Sequence, residues 1–489
     1  MRSTFMGLET NKRGLYAQQT GLYTTGNNIS NANSLGYTRT RVNMQATQGL
    51  TSSPGLLGTG VEASSIQRIR DSFVDNQFRQ ESNTLGYWES RSNAISQIED
   101  IIGEPSEFGL QKSLSEFWSS LQTLATSPSS SGARAIVIQR GQDVAESFNH
   151  LHSSLTEAQT NLGKEISFST DNVNFLLEEV ARLNGQISGM ESGGYLPNEL
   201  YDQRDLLLDE LSTYLPIETK FEKTGGGTSA IAQGTVTVSL KMNDGVRVEL
   251  VKGKEFGEVE VNPTNQLIQG ISIKAVGDTD STNHVLSEFL DSGKLKSLIN
   301  SYGYGTGDGN GLYPDMINNL NKMAEALANE FNRVHGEGID LDGNDGEAFF
   351  VITTAGNLSV NQDLIDDPRK LAASGSADEI ANADNAKALL AIQTSPLDDL
   401  NKSTIQDFFS GIIGKLGVNG QQAQRMAFNT ASLQGAAANR RDSISAVSLD
   451  EEMTDMIRFQ QAYNASARMI TVIDETLDKI INGMGLSGR

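Results

Sequence analysis

Two sets of heptad positions, one at each end of the chain, restrict the fold more than any other feature. Leu449, Met456, Tyr463, Ile470 and Leu477 recur at intervals of seven, and Glu452, Phe459, Ser466, Ile473 and Ile480 repeat three positions on. That spacing keeps one face of a helix turned toward a partner helix. A helix over these residues is roughly 48 Å long. Glu452 and Ser466 interrupt the second line, so the stripe is narrow and thin on one side. At the other end, Leu8, Leu15, Leu22 and Ile29 are again seven apart, with Gly7, Gly14 and Gly21 directly before the first three. Each glycine lets another helix approach closely but costs about 1 kcal/mol of helix propensity against alanine. Packing has to supply what propensity lacks, and the two ends are expected to pair as a coiled coil. Charge agrees: residues 1–48 carry five basic side chains and one acidic, while residues 446–489 carry seven acidic and four basic. The competing reading is two ordinary amphipathic helices packed on a globular core.

A chain of 489 residues holds several cores. Its formal charge of −23 argues against nucleic acid as a partner. With no cysteine, disulfides, thiolate catalysis and cysteine-ligated zinc are excluded together. Met1-Arg2 is followed by no apolar core of a cleaved secretory signal, and no run reaches the length of a membrane span. The 48 glycines and few aromatics favour an elongated, multi-piece arrangement over one compact core.

Along the chain, the first helix is expected to end near Ile29 and give way to the amide-rich segment 27–39. Asn28, Asn31 and Asn33, with Gly36 and Tyr37, are the side chains there suited to tying backbone together, within the turn or between neighbouring molecules. Gly49 to Gly60 reads as a turn between short strands. The helical period is expected again from Ile66, with Arg68 and Arg79 on polar faces, and then from Phe108 to Leu124, from Ala133 to about Met190, and from Tyr201 to Leu215. A helix past 50 residues implies a rod or bundle. Alternation in 235–240 and 246–250 around Asn243-Asp244-Gly245 is a hairpin signal. The division that follows is 1–48 as N-terminal coiled-coil segment, 49–220 as the first part of a helical rod, and 221–285 as an inserted β domain. Residues 286–445 form the second part of the rod, with 336–400 unassigned, and 446–489 the C-terminal coiled-coil segment. Within 286–445, helices are expected over Val285–Ile299, Tyr313–Val334 and Thr404–Ser445. The fold class is therefore mainly α with an inserted β domain, an elongated rod whose terminal helices pair.

Several stretches imitate functional sites. Asp340-Leu341-Asp342-Gly343-Asn344-Asp345 opens like a calcium loop, but the sixth and twelfth positions hold Asp345 and Val351 instead of glycine and glutamate. It reads as a turn. The alternating glycines from Gly303 to Gly311 lack a following Gly-Lys-Ser/Thr. His150, His152, His284 and His335 form no zinc pattern. No catalytic, metal or cofactor constellation is found, and no enzyme activity is expected.

The segment Asn28-Ile29-Ser30-Asn31-Ala32-Asn33-Ser34-Leu35-Gly36-Tyr37-Thr38-Arg39 resembles the N-terminal signature of bacterial flagellar rod, hook and hook-associated proteins. Phe459-Gln460-Gln461-Ala462-Tyr463-Asn464-Ala465-Ser466-Ala467-Arg468-Met469-Ile470, after Asp450-Glu451-Glu452, resembles the matching C-terminal signature. Within that family, Gly58-Thr59-Gly60-Val61-Glu62, Ile66-Gln67-Arg68-Ile69-Arg70-Asp71, Leu85-Gly86-Tyr87-Trp88-Glu89 and Glu104-Pro105-Ser106 are similar to the hook–filament junction branch. Ser34-Leu35 departs from the Thr-Pro pair common there. The resemblance implies terminal helices paired at the core of a tube and outer domains at larger radius. It also implies an extracellular place in the flagellum reached by type III export. The implied partners are further copies of the chain, the hook protein, the third hook-associated protein and a cytosolic export chaperone, with no membrane. A hook protein, the third hook-associated protein itself, or a secreted helical adhesin or effector are the rival readings.

Overall fold

The computed structural model describes residues 5–483 apart from 53–54, 104–108, 264–266, 307–308, 377–378 and 380–381. The Glu104-Pro105-Ser106 stretch, the expected helix start at Phe108, and Gly307 lie outside the described residues.

Helix α1 (Met6–Ser30) leads into a long hairpin of β1 (Thr40–Ala46) and β4 (Val61–Arg68), tipped by the short antiparallel pair β2 (Leu50–Ser52) and β3 (Gly55–Leu57). The helical period expected from Ile66 is therefore corrected: residues 61–68 are strand. Helix α2 (Ser72–Ile102) begins where Asp71 caps it, accepting the Phe73 N–H at 2.9 Å. It ends at Gly103, whose φ of 57° is a left-handed cap.

Three further helices extend the rod. Helix α3 (Leu110–Thr126) packs on α4 (Ser131–Ser192), a single 62-residue helix with no internal proline. Glycines on α4 mark where other elements press against it: a Cβ at Gly141 would lie 2.7 Å from Phe349, and one at Gly163 3.0 Å from Tyr302. Helix α5 (Asn198–Tyr214) folds back along α4.

The β region follows, with β5 (Ile217–Glu222), β6 (Thr235–Lys241), β7 (Arg247–Lys252) and β8 (Glu255–Phe256) forming an antiparallel four-stranded sheet in that order. Strands β9 (Glu258–Glu260), β10 (Ile271–Lys274) and β11 (Thr282–His284) make a three-stranded sheet with β10 central. These strands are tied to α4. The Asn184 amide exchanges two hydrogen bonds with the Val236 backbone at 2.8 and 2.9 Å, and Asn174 does the same with Val259. Val236, Val238, Leu240 and Leu250 belong to one apolar core with Val173, Leu177 and Val180 of α4.

Helix α6 runs only over Lys294–Tyr302, which corrects the helix expected over Val285–Ile299. Gly293 has a φ of 81°, and a Cβ there would lie 2.4 Å from the Tyr214 carbonyl, so the chain must turn at that point. Helix α7 (Leu312–Gly336) carries Phe331 into an aromatic cluster with Phe117, Phe349 and Phe350. Residues 336–400 form a compact lobe of β12 (Phe350–Val351), β13 (Ser359–Val360), α8 (Gln362–Asp366), α9 (Asp384–Ala391) and 3₁₀ turns. His335 clamps it. Its Nδ1 donates to the Glu347 carbonyl at 2.5 Å and its Nε2 accepts the Ala372 N–H at 2.9 Å, so burial pushes the imidazole down to about 4. Asp340 to Asn344 is a turn, with the Asp340 carboxylate accepting the N–H groups of Asp342 and Asn344 and Gly343 at φ 85°.

Helix α10 (Ile405–Ser445) returns along α2, burying Phe409, Leu416, Ala423, Thr430 and Ala437 at strict intervals of seven. Helix α11 (Leu449–Asp478) then runs back along α1.

Candidate functional site: the paired terminal helices

Helices α1 and α11 lie antiparallel. A Cβ at Gly7 would stand 3.3 Å from Ile473 Cδ1, one at Gly14 3.4 Å from Ser466 Oγ, and one at Gly21 3.0 Å from the Phe459 ring. Each seven-residue step up α1 thus meets a seven-residue step down α11. The glycines make room for side chains of α11, with Ser466 in the space beside Gly14.

The next step places Asn28 against Glu452. Asn28 and Thr25 both hydrogen-bond the Glu452 carboxyl. Burial raises that carboxyl above the usual carboxylate range, and the two hydrogen bonds pull in the other direction. Glu452 is the buried residue of α11, and the line that looks interrupted in sequence is matched polar group to polar group.

Asn28, almost fully buried, also ties the turn. Its Nδ2 donates to the Thr40 carbonyl at 2.8 Å, and its Oδ1 accepts the Thr40 N–H at 3.0 Å and the Tyr37 hydroxyl at 2.8 Å. The hydroxyl of Tyr37 is raised, chiefly by burial. Asn31 bonds back to Asn27, Asn33 is exposed, and Gly36 takes a φ of 77° beside Leu206. Within the chain Asn28 anchors the turn.

The line of Phe459 and Ile473 faces the α1 glycines, and the apolar residues of both helices are only partly covered. Leu8, Leu15, Leu22 and Ile29 are half-buried, as are Met456, Phe459, Tyr463, Ile470, Ile473 and Leu477, while Leu449 and Ile480 are exposed. The interior of the pair at α1 is Ala17, Gly21, Thr24, Thr25 and Asn28. Outside it, Tyr16, Tyr23, Met453, Ile457, Met469 and Val472 all face solvent with half or more of their surface.

Below the pair sits a charged joint that pattern reading missed. The Asp205 carboxylate, fully buried, lies 2.9 Å from Arg70, 3.0 Å from Arg68 and 3.3 Å from Arg79. Burial works to raise its pKa, but these guanidinium groups hold it well below the usual carboxylate range. Asp202 pairs with Arg68 at 2.6 Å, and its other oxygen accepts the Thr38 N–H at 3.2 Å. Asp209 bridges Arg79 at 2.7 Å and Arg441 of α10 at 2.6 Å. The reading of Arg68 and Arg79 as polar-face residues is corrected: both are buried. The signal was present as Asp202, Asp205 and Asp209 spaced three and four apart on one face of α5. Arg39 completes the joint, pairing with Glu451 and donating its N–H to the Ser445 carbonyl at 2.9 Å.

Among the described residues no group of histidine, aspartate and glutamate could hold a metal ion, and no helix is long and apolar enough to cross a membrane. The pair and the joint beneath it hold the two ends of the chain together.

Comparisons with known proteins identify the family. The family model for the flagellar hook-associated protein FlgK helical domain matches residues 95–350, and that for the flagellar basal body rod FlgEFG protein C-terminal region matches residues 440–483. The chain is 42% identical to flagellar hook-associated protein 1 of Bacillus subtilis (strain 168), with all of both chains covered. It is 24% identical to flagellar hook-associated protein 1 of Escherichia coli (strain K12), covering 96% of this chain and 98% of that one. A solved structure, the flagellar hook junction protein FlgK from Burkholderia pseudomallei, aligns at a TM-score of 0.47 and 19% identity over 57% of this chain and 47% of its own. The chain belongs to the FlgK family of flagellar hook-associated proteins.

Proposed function

We propose that the chain is a structural subunit of the bacterial flagellum that joins hook to filament and assembles through α1 and α11. The observation that carries this reading is the helix pair itself. It spans the length of α1, buries few residues, and leaves an apolar outer surface that a free subunit would expose to water. Pairs from neighbouring copies, packed side by side, cover that surface, and contacts that do not close on themselves generate a helical tube. The hook protein lies on one side and the third hook-associated protein on the other. Export runs through the flagellar type III apparatus without a cleaved signal, with a cytosolic chaperone holding α11 beforehand. The subunit carries no enzymatic activity. The domain division that serves this role is a terminal pair (1–48 with 446–489), a helical rod (49–220 with 286–445) and the β region 221–285. The test is a deletion strain. Hooks without filaments, with flagellin shed into the medium, are expected; normally attached filaments overturn the reading and favour a secreted adhesin or effector.

A further inference from the structure

Most of the seam between α1 and α11 does not choose its own register. Gly7, Gly14 and Gly21 are equivalent places along α1, and each accommodates a different side chain of α11: Ile473, Ser466 and Phe459. A glycine puts no side chain into the seam, so it does not select among them. The hairpin side of α1 is equally uncommitted. A Cβ at Gly60 would lie 3.2 Å from the Thr10 carbonyl, and Ala17 and Thr24, at the next two seven-residue steps, are small and buried. Sliding α1 by one heptad, about 10 Å, therefore returns small residues to both seams. Chain length does not oppose the slide once the turn has opened, because residues 31–39 reach roughly 30 Å when extended.

The fourth step differs. Asn28 comes to α11 with its amide already oriented. Its Oδ1 accepts the Thr40 N–H and the Tyr37 hydroxyl, and its Nδ2 donates to the Thr40 carbonyl. Asn28 also hydrogen-bonds the Glu452 carboxyl, as does Thr25. Glu452 is only 5% exposed, so the match has to be made inside the seam. A slide in one direction carries Glu452 to Gly21, which has no amide to offer, and the carboxylate loses the donor that Asn28 supplies. A slide in the other carries the Phe459 ring onto Asn28 and covers a donor with an apolar face. One buried polar position in an otherwise permissive seam specifies register while lowering stability.

We infer that Glu452 is the specificity-determining residue of the terminal pair: it admits α11 to α1 in the one register where Asn28, held by the folded turn, faces it. Pairing of the two ends is thereby tied to closure of the turn at residues 31–39. An apolar residue in place of Glu452 strengthens the seam and frees its register at the same time. A residue that only supported the helix would not separate those two effects. The contact lies within one chain and holds whether or not the chain joins hook to filament.

The chain has no cysteine, so introduced pairs report cleanly. In the full chain, G14C with S466C reads the observed register. G14C with F459C reads the slide that brings Glu452 to Gly21, and G14C with I473C the opposite slide. Brief oxidation of the purified chain traps each pairing as an intramolecular disulfide, resolved on a non-reducing gel. The loops closed are nearly equal in length, so random collision favours none of them. With Glu452 in place, the G14C–S466C disulfide is expected to dominate. In E452L the yield of the shifted disulfides relative to it is expected to rise about tenfold. E452Q, which keeps an acceptor for Asn28 and Thr25, is expected to stay near the parent ratio. E452M, closer to glutamate in shape, replaces E452L if that variant alters urea unfolding of the rod. Equal yields from all the pairs with Glu452 present, or an unchanged ratio in the apolar variants, overturn the inference. E452Q behaving as E452L does overturns the match with Asn28 on which it rests.

Discussion

The three glycines of α1 share a sequence role but not an environment. At Gly14 an added methyl meets Ser466 Oγ at 3.4 Å, an ordinary contact, whereas at Gly21 it meets the Phe459 ring at 3.0 Å. G14A is therefore expected to gain most of the ~1 kcal/mol of helix propensity that alanine holds over glycine. G21A offsets that gain by crowding the ring. Helix content and exchange protection of α1 in assembled protein measure the difference, and equal gains at both positions would contradict the packing. His335 makes a different prediction. Its folded pKa of about 4 lies below the ordinary value, so the neutral ring contributes stability above pH 6.5 that is lost as pH falls through 4. The full effect is on the order of 3 kcal/mol. Urea unfolding at pH 7 and pH 4.5 should show a steeper loss for the native chain than for H335Q, after allowing for the lower starting stability of the variant. None of these distinctions is visible in sequence, because each depends on what stands opposite the residue.

At the scale of elements, the long helices were legible and their joints were not. Helix α4 was read because nothing interrupts it over sixty residues, and α10 because Thr404 caps it, accepting the Asp407 N–H at 3.1 Å, and no proline follows until its end. Strand β4 was missed because Ile66 and Ile69 fit a helical spacing as well as they fit a strand edge. The lobe 336–400 was not readable, since its elements are two to eight residues long and are held by distant groups such as His335 and Asn149. The candidate pair of terminal helices was legible in its existence and period. Which line faced inward was not, because glycine and asparagine carry no apolar signal. The charged joint between hairpin, α2, α5 and α10 yields a direct test. D205N keeps the shape but leaves Arg68, Arg70 and Arg79 around a neutral amide. A loss of about 3–5 kcal/mol is expected on breaking a buried set of this kind, read by urea unfolding of the rod. A change below 1 kcal/mol would mean that Asp202, Asp75 and Asp209 hold Arg68, Arg70 and Arg79 without it.

Across the whole molecule the core is uneven. Apolar burial is dense from α2 to α10 and sparse between α1 and α11, where small and polar residues make up the interior. One such pair in water offsets little of the ordering entropy of some 55 residues. The free subunit is therefore expected to exchange its amides fast before about residue 30 and after about 449, while α2 to α5 stay protected. Filament-bound protein should protect both ends. Strong protection of the ends in a proven monomer would show that the pair is self-sufficient.

The way the two terminal helices enter the rod has a mechanical consequence. α1 leaves through residues 31–39 and α11 arrives through residues 446–448; Arg39 laces the two crossings together through Ser445 and Glu451, and Asn28 to Thr40 closes the first crossing on itself. A pull along the axis of the pair is carried by two peptide chains in parallel, with no weak bond in series. A twist about that axis instead loads the polar lacing between the two crossings. A coupling between a bending shaft and a stiff one has to withstand both loads, and this subunit meets tension with covalent chain and torque with a cluster of short polar contacts.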